Sequence, residues 1–202
     1  MESPGGRQQR RPNPKPTFAE RRAKRGEVTD LAEVLEASAR LLEARPRSVD
    51  EIRRRLRGLG YAAELVESTI ARLTELRYLD DEAFARTWVE SRDRAQPRGE
   101  RALRTELARK GIERETVDAV LDDRQGDAAA GPDGVSADDG AAERLLRKRL
   151  AAILRMPDPR ARLQRAYGLL ARAGFGPDVC SAVARRVLAS EAEATTIVED
   201  EI

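Results

Sequence analysis

The side chains in this sequence best suited to binding chemistry are arginines, which cluster in two stretches with few acidic neighbours. Residues 92–110 contain seven basic residues against three acidic ones, and residues 143–172 contain nine against two. A guanidinium is planar and binds carboxylate or phosphate through paired hydrogen bonds. The excess predicts an external anionic partner, although any arginine on a helix can also pair with acidic residues of its own surface. On charge alone, nucleic acid and an acidic protein surface are equal candidates.

The candidate contact residues lie at the junction of two predicted helices and on successive turns of a later helix. They are Arg92, Arg94, Arg98, Arg101, Arg104, Lys110, Arg144, Arg147 and Lys148. We predict that these residues form the partner-binding surface of the protein.

The sequence lacks the residues on which most enzymes depend. It contains no histidine, which is the commonest general base and a frequent metal ligand, and no glycine-rich phosphate loop. The one cysteine, Cys180, excludes an internal disulfide and falls on the buried stripe of a predicted helix. We therefore predict a protein that is not an enzyme and that needs neither a cofactor nor a metal.

The composition favours helices. Of the 202 residues, 40% are hydrophobic and 37% are charged, whereas only 3% are aromatic. Such usage suits helices that pack through leucine, valine and alanine stripes and expose charged faces. No apolar run approaches the ~20 residues that span a bilayer, and no apolar core follows the basic N-terminus. We expect a soluble, cytoplasmic monomer with no membrane association.

The segment 79–81, Leu-Asp-Asp, marks a boundary between two helices. Aspartate side chains accept hydrogen bonds from the free amides of a helix start, so a new helix is expected here. Phe84 and Trp88 follow at helical spacing as a buried stripe. Trp88 and the preceding Tyr78 could stack on nucleic-acid bases, but their helical phase favours core packing for both.

An internal repeat is predicted by three segments that align on a glycine. These segments are Leu56–Tyr61, Leu107–Ile112 and Leu170–Phe175. In each, a helix with a leucine four residues before the glycine ends at that glycine in the left-handed conformation, and a large apolar residue follows. A further amphipathic helix precedes each pair of helices. The sequence therefore predicts an all-α fold of three tandem three-helix repeats that form an elongated, curved solenoid.

The repeat and the flanking composition divide the chain into six segments. We predict a disordered basic arm (1–28), unit 1 (29–77), unit 2 (78–124), a flexible acidic linker (125–139), unit 3 (140–190) and an acidic tail (191–202). The arm lacks the apolar residues that a core needs, and the linker is rich in glycine and acidic residues. The linker leaves the orientation of unit 3 open.

The pattern Leu-Asp-Asp-x-x-Phe-Ala-Arg from residue 79, followed by Lys-Gly-Ile at 110–112, resembles the RecX family of recombinase regulators. The fold of that family is three tandem three-helix repeats, in agreement with the repeat described above. The resemblance implies contact with the recombinase filament for the basic stretch of unit 2. It implies structural roles for Leu79, Asp80, Asp81, Phe84, Trp88, Leu107, Gly111 and Ile112.

The function that this resemblance implies is regulation of homologous recombination and DNA repair, within the SOS response. The partner would be the RecA nucleoprotein filament, whose ATP hydrolysis and strand exchange the family inhibits; some members also bind single- or double-stranded DNA. The alternative is a direct DNA-binding regulator, because two helices joined by a short glycine turn resemble helix-turn-helix units. Capping of filament ends and binding along the filament groove both remain open, as do the roles of the arm and the tail.

Overall fold

The computed structural model describes residues 16–131 and 134–200, with side chains through residue 192. Within these ranges the chain forms eleven α-helices and no β-strand. The helices are α1 (Phe18–Gly26), α2 (Leu31–Ala44), α3 (Val49–Leu59), α4 (Ala63–Glu75), α5 (Asp81–Ala95), α6 (Glu100–Arg109), α7 (Arg114–Ala129), α8 (Ala137–Arg147), α9 (Leu150–Leu154), α10 (Pro159–Arg172) and α11 (Pro177–Asp200). None of the described helices is long and apolar enough to cross a membrane.

Three separate apolar cores confirm the predicted repeat. Unit 1 consists of α2–α4, unit 2 of α5–α7 and unit 3 of α8–α11, and each has its own cluster of buried residues. The leucine that precedes each repeat glycine is fully buried in its core; these residues are Leu56, Leu107 and Leu170. Cys180 is also fully buried, and burial raises the pKa of its thiol, as befits a small apolar residue in the core.

The repeat glycines adopt the left-handed conformation that the sequence predicts. Their φ angles are +109° at Gly60, +78° at Gly111 and +89° at Gly174. Each turn also packs closely on a neighbouring element. A Cβ added at Gly111 would lie only 2.3 Å from Cβ of Asp50 in α3. A Cβ at Gly174 would likewise lie 2.4 Å from Cβ of Ala102 in α6. The glycine turn of one unit thus rests on the second helix of the unit before it.

Aspartates at the start of each following unit strengthen these junctions. Asp80 accepts a hydrogen bond from the amide of Ala83 at 2.9 Å and so caps its own helix, as predicted. Asp81 instead accepts from the amide of Val49 at 2.9 Å, which is the first residue of α3 in unit 1. Asp138 makes the equivalent contact between units 3 and 2. It accepts at 3.0 Å from the amide at the start of α6.

The predicted disorder through residue 28 is wrong for residues 18–26, which form α1. A capping box between Thr17 and Glu20 starts this helix. The helix contacts unit 1 through its backbone, since a Cβ at Gly60 would lie 2.5 Å from the carbonyl oxygen of Arg22. Residues 1–15 of the predicted arm lie outside the described residues.

The linker, the tail and the first helix of unit 3 also differ from their predicted form. Helix α7 continues through an alanine-rich stretch to Ala129, so helix occupies part of the predicted linker. The backbone of the predicted acidic tail is helical as far as Asp200, because α11 continues without a break. The single helix predicted before the last pair of helices is instead two short ones, α8 and α9, which are separated near Arg149, where φ is −118° and ψ is 0°.

Candidate partner-binding surface

A basic groove of about 450 Å³ lies where units 2 and 3 meet, and we call it the 2–3 groove. Its cations are Arg98, Lys148, Arg149 and Arg172. Pro97, Leu145 and Leu169 contribute an apolar floor, and none of the described residues that line the groove is acidic. Four positive charges around an apolar floor create a strong local potential that attracts anions.

Arg98 in this groove has unsatisfied hydrogen-bonding capacity. Its Nε atom is buried and has no hydrogen-bond partner among the described residues. The carboxylate of Glu106 is 3.6 Å away, too far for a hydrogen bond, and it already accepts from Trp88 at 2.9 Å and Arg92 at 2.7 Å. A buried donor without a partner costs roughly 1–3 kcal/mol. Glu106 therefore holds Arg98 only loosely, and the accessible part of the guanidinium, on a side chain that is 34% exposed, is free to pair with an anion in the groove.

The other cations of the groove lie on unit 3. Lys148 donates to the carbonyl oxygens of Arg94 and Ala95 at 3.4 and 3.2 Å, so it connects unit 3 to the C-terminal end of α5. Arg149 and Arg172 form no ion pair with any residue that the structure describes. These two arginines are therefore the groove cations that are most available to a partner.

Two predicted contact residues hold the protein itself together. Arg92 donates to Glu106 and lies over the ring of Trp88, with 4.5 Å between the guanidinium carbon and the ring centre. Lys110 donates to Glu51 of unit 1 at 2.9 Å, and its Nζ atom lies 4.4 Å from the centre of the Trp88 ring. Both side chains are therefore engaged in ion pairs and cation–π contacts inside the fold.

Two more of the predicted contacts have strong partners on the surface. Arg104 pairs with Glu100 on its own helix and with Asp118 on α7. Arg147 pairs with Glu143 at 2.8 Å, one turn earlier on α8. Their charge is largely compensated locally, which is the alternative that the sequence left open for every arginine.

The remaining predicted contacts are exposed and weakly paired. Arg94 lies 3.7 Å from Glu90, and Arg144 lies 3.8 Å from Asp93; neither distance is that of a hydrogen bond. Arg101 is exposed on α6 and has no ion-pair partner in the described ranges. Together with Arg98 and Lys148 of the groove, these side chains form the part of the predicted set that can reach a partner.

The residues assigned structural roles by resemblance lie at packing or capping positions. Leu79, Phe84, Leu107 and Ile112 are buried, Gly111 has a positive φ, and Asp80 and Asp81 cap helices. Leu79 packs into the core of unit 1, whereas Phe84 packs into that of unit 2. Trp88 is half-buried beside the core of unit 2 and stacks on Phe84, with 6.1 Å between ring centres.

A second groove, the Tyr78 groove, lies where units 1 and 2 meet and measures about 510 Å³. The side chain of Tyr78 is 69% exposed at its edge, so the prediction that this residue packs into the core is wrong. The chain turns sharply between α4 and α5, with φ of +61° at Arg77, and this turn directs Tyr78 away from the core. Leu42, Pro46, Phe84 and Trp88 supply apolar walls. The charged lining consists of Arg45, Arg47, Arg77 and Asp80.

Two carboxyls at the junction of units 1 and 2 have shifted pKa values. Burial alone would raise the pKa of Glu51, but hydrogen bonds from Arg45 and Lys110 outweigh it and lower the pKa to about 2. Ser48 and Glu51 form only half of a capping box: the Ser48 hydroxyl accepts from the Glu51 amide, but the Glu51 carboxylate binds these two cations. For Asp81, burial outweighs the hydrogen bond from Val49 and raises the pKa.

Sequence reasoning missed three residues that the grooves bring forward. Arg149 and Arg172 belonged to a recognised basic stretch but were not selected, because their approach to Arg98 arises only when units 2 and 3 pack together. The spacing of Tyr78 to Phe84 predicts that Tyr78 packs in the core, but the turn at Arg77 between the two residues breaks the helical phase. The one signal available for the arginines was their local excess over acidic residues.

The architecture and the site place this chain among all-α proteins built from tandem three-helix domains. Residues 35–73 match the profile of the RecX first three-helix domain, and residues 80–121 match that of the RecX second three-helix domain. The chain belongs to the RecX family of regulatory proteins.

Relatives of known family agree with this assignment, and a solved structure shares the fold. The regulatory protein RecX of Mycolicibacterium vanbaalenii is 34% identical over 184 residues, which cover 88% of this chain and 92% of the relative. RecX of Streptomyces coelicolor is 33% identical, over 80% of this chain and 81% of its own. The crystal structure of RecX from Lactobacillus salivarius shares the fold, with a TM-score of 0.61 and 18% identity over 77% of this chain and 95% of that one.

Proposed function

We propose that this protein regulates homologous recombination and DNA repair by binding the RecA nucleoprotein filament and inhibiting its ATPase and strand-exchange activity. Membership of a family of regulatory proteins supports a binding role rather than catalysis. The observation that carries the proposal further is the 2–3 groove, where four cations surround an apolar floor and none of the described lining residues is acidic. A filament of protein on DNA presents many phosphate and carboxylate groups to such a surface.

In this proposal the protein acts by mass action, as a monomer in the cytoplasm. Binding that favours one filament state, or that occupies a filament end, shifts the population of filament states without any chemical step by this chain. The exposed groups Arg94, Arg101, Arg149 and Arg172, together with the half-buried Arg98, supply the contacts to anions. The Arg98 side chain is 34% exposed, so an anion bound in the groove can pair with the accessible part of its guanidinium in a charge-assisted contact.

The test is a titration of the protein into an assay of DNA-dependent ATP hydrolysis by the cognate recombinase, starting far below stoichiometry. The wild-type protein is expected to inhibit hydrolysis, and the double variant Arg149→Glu/Arg172→Glu is expected to inhibit at least ~10-fold less well, because two attractive charges become repulsive. The matched control is Arg40→Glu/Arg72→Glu, which changes net charge equally at exposed positions of unit 1. Equal inhibition by both double variants would contradict the role of the groove.

The described lining of the groove contains no acidic residue, which also favours the alternative of direct DNA binding, so the same variants are measured on DNA alone. A salt titration of duplex binding separates the two functions, since contact with phosphates makes affinity fall steeply as salt rises. Tight, salt-steep binding to duplex without any effect on the recombinase at any ratio would overturn the proposed function and support the alternative. Inhibition far below one protein per recombinase subunit would indicate capping of filament ends.

A further inference from the structure

The Tyr78 groove combines features that a purely structural turn does not need. Leu76 and Tyr78 are 45% and 69% exposed and are two of the five large apolar residues that the described part of the chain exposes. They flank Arg77, which holds a left-handed φ of +61° that costs a non-glycine residue on the order of 1 kcal/mol. The turn thereby presents an aromatic ring and a guanidinium side by side at the rim of the groove.

Cations around the groove create a positive potential that is only partly compensated. Arg47 donates from Nε to the carbonyl oxygen of Leu41 at 2.9 Å and has no carboxylate partner in the described ranges. Burial is the main cause that lowers the pKa of Arg47; the charges of Arg45 and Arg55 add to it, and the charge of Glu51 opposes it. Arg77 is 84% exposed and lies 3.5 Å from Asp80, an ion pair that is weak in water.

The balance of charge and apolar surface distinguishes a polypeptide ligand from nucleic acid here. Asp80 lines the groove, and Glu51 already holds Arg45 at 3.1 Å, so a continuous phosphate backbone would meet a carboxylate in its path. The walls formed by Pro46, Phe84 and Trp88 instead suit an apolar side chain. One carboxylate on the ligand is enough to pair with Arg47, which has no ion-pair partner in the described ranges, and with Arg77, whose pair with Asp80 is weak.

We propose that the Tyr78 groove is a second docking site, for a segment of the recombinase in which a large apolar side chain lies next to a carboxylate. The apolar side chain packs against the rings of Tyr78 and Trp88, and the carboxylate pairs with Arg47 and Arg77. This inference rests on the proposed function, because it takes the recombinase as the partner. It divides the work between two grooves: the 2–3 groove binds a polyanion, and the Tyr78 groove binds protein.

The experiment measures binding of the full-length protein to the recombinase, both free of DNA and assembled on single-stranded DNA, and to the oligonucleotide alone. Tyr78→Ala is expected to weaken binding to the recombinase by ~10-fold or more, since truncated aromatic anchors carry much of the energy of an interface. It should leave oligonucleotide binding unchanged, and Tyr78→Phe should bind like the wild type. Tyr167→Ala removes another exposed tyrosine, in α10 of unit 3, and serves as the matched control.

Each outcome is decisive. If the wild-type protein binds both recombinase forms and Tyr78→Ala binds them equally well, the docking site is overturned while the proposed function stays intact. A Tyr78→Ala variant that loses affinity for the oligonucleotide would show that the ring stacks on bases, and would also overturn it. Failure of the wild-type protein to bind either recombinase form would overturn the proposed function and this inference together. Thermal unfolding monitored by circular dichroism verifies that each variant is folded.

Discussion

At the junction of units 1 and 2, Pro46 and Arg47 lead into Ser48, and at the junction of units 2 and 3, Pro97 and Arg98 lead into Gly99. Ser48 is the N-cap residue of α3 and Gly99 is that of α6, and both contact the glycine turn of the following unit. The hydroxyl of Ser48 donates to the carbonyl oxygen of Lys110 at 2.6 Å. The amide of Gly99 donates to the carbonyl oxygen of Ala173 at 3.1 Å. The two junctions thus share a backbone plan, and an arginine at the same position of the repeat lines each groove.

The differences lie in the side chains around that plan. The groove of the first junction exposes an aromatic ring and includes a carboxylate, whereas the groove of the second has four cations and no acidic residue in its described lining. Inside the second junction, Arg124 bridges Asp93 of α5 and Asp138 of α8 at 2.9 and 2.8 Å, and its side chain is only 11% exposed. Burial alone would lower the pKa of this guanidinium, but the two carboxylates raise it. Repetition therefore fixes the scaffold, while a few variable side chains set both the strength of each junction and the ligand of each groove.

The largest expected effect comes from Arg124, because it is the most deeply buried ion-pair residue of either junction. Arg124→Met should lower the free energy of unfolding by about 3 kcal/mol, since two largely buried carboxylates lose their partner. Urea denaturation checks this. The control is Arg114→Met, which replaces a side chain that is 93% exposed and should change the free energy of unfolding by less than ~0.5 kcal/mol. Lys110→Met at the first junction should cost less than Arg124→Met, and the reverse order would break the comparison.

The repeat glycines should come next. Gly174→Ala should cost roughly 2–3 kcal/mol, because the residue has a positive φ and its new Cβ would lie 2.7 Å from the backbone nitrogen of Ala102. Gly111→Ala should cost a similar amount at the first junction. Gly168→Ala lies in α10, where the added methyl group meets only the flexible end of Arg172, and should be neutral or slightly stabilising. A destabilisation at Gly168 equal to that at Gly174 would contradict the close approach as the cause.

A pH titration separates the junctions more finely. The lowered pKa of Glu51, about 2, means that its charged form stabilises the folded protein above the unfolded value of 4.5. This contribution, on the order of 2 kcal/mol, is lost as the pH falls from about 4.5 towards 2. In urea denaturation between pH 6 and 2.5, the free energy of unfolding should fall less for Glu51→Gln than for the wild type. Parallel curves for the two proteins would contradict the role of Glu51.

The smallest expected effect on stability is a gain. Arg77→Gly relieves the left-handed conformation of a non-glycine residue and should raise the free energy of unfolding by about 0.5–1 kcal/mol. The same change should weaken recombinase binding, because a cation of the Tyr78 groove is lost. Opposite signs in a thermal melt and a binding assay would show that the strain at this turn is retained for function. A loss of stability would remove that explanation.

The local features of the fold were predictable from the sequence, and the relations between units were not. The turns at Gly60, Gly111 and Gly174 could be predicted because glycine has a conformational preference that acts within a few residues. The pairing of Lys110 with Glu51 could not, because the two residues lie in different units and meet only after packing. For the same reason, several arginines expected to face a partner are satisfied internally.

Prediction also failed where local propensity was stronger than composition suggested. The segment around α1 has the low apolar content of a disordered arm, yet Thr17 and Glu20 supply a complete capping box. The alanines near the end of α7 extend a helix into a region that glycine and aspartate had marked as a linker. Composition averages over such short signals, whereas a helix end depends on two or three particular side chains.

The division into three cores has a consequence for how the chain acquires its structure. The residues of each core come from one continuous stretch of chain, within 28–79, 84–121 and 141–188. Low sequence separation between contacting residues speeds folding, because short loops lose little entropy on closure. Each unit can therefore begin to fold as it leaves the ribosome, before the next unit has been synthesised. The fold is completed when each unit docks onto the following one, through Asp81 at the first junction and Asp138 at the second.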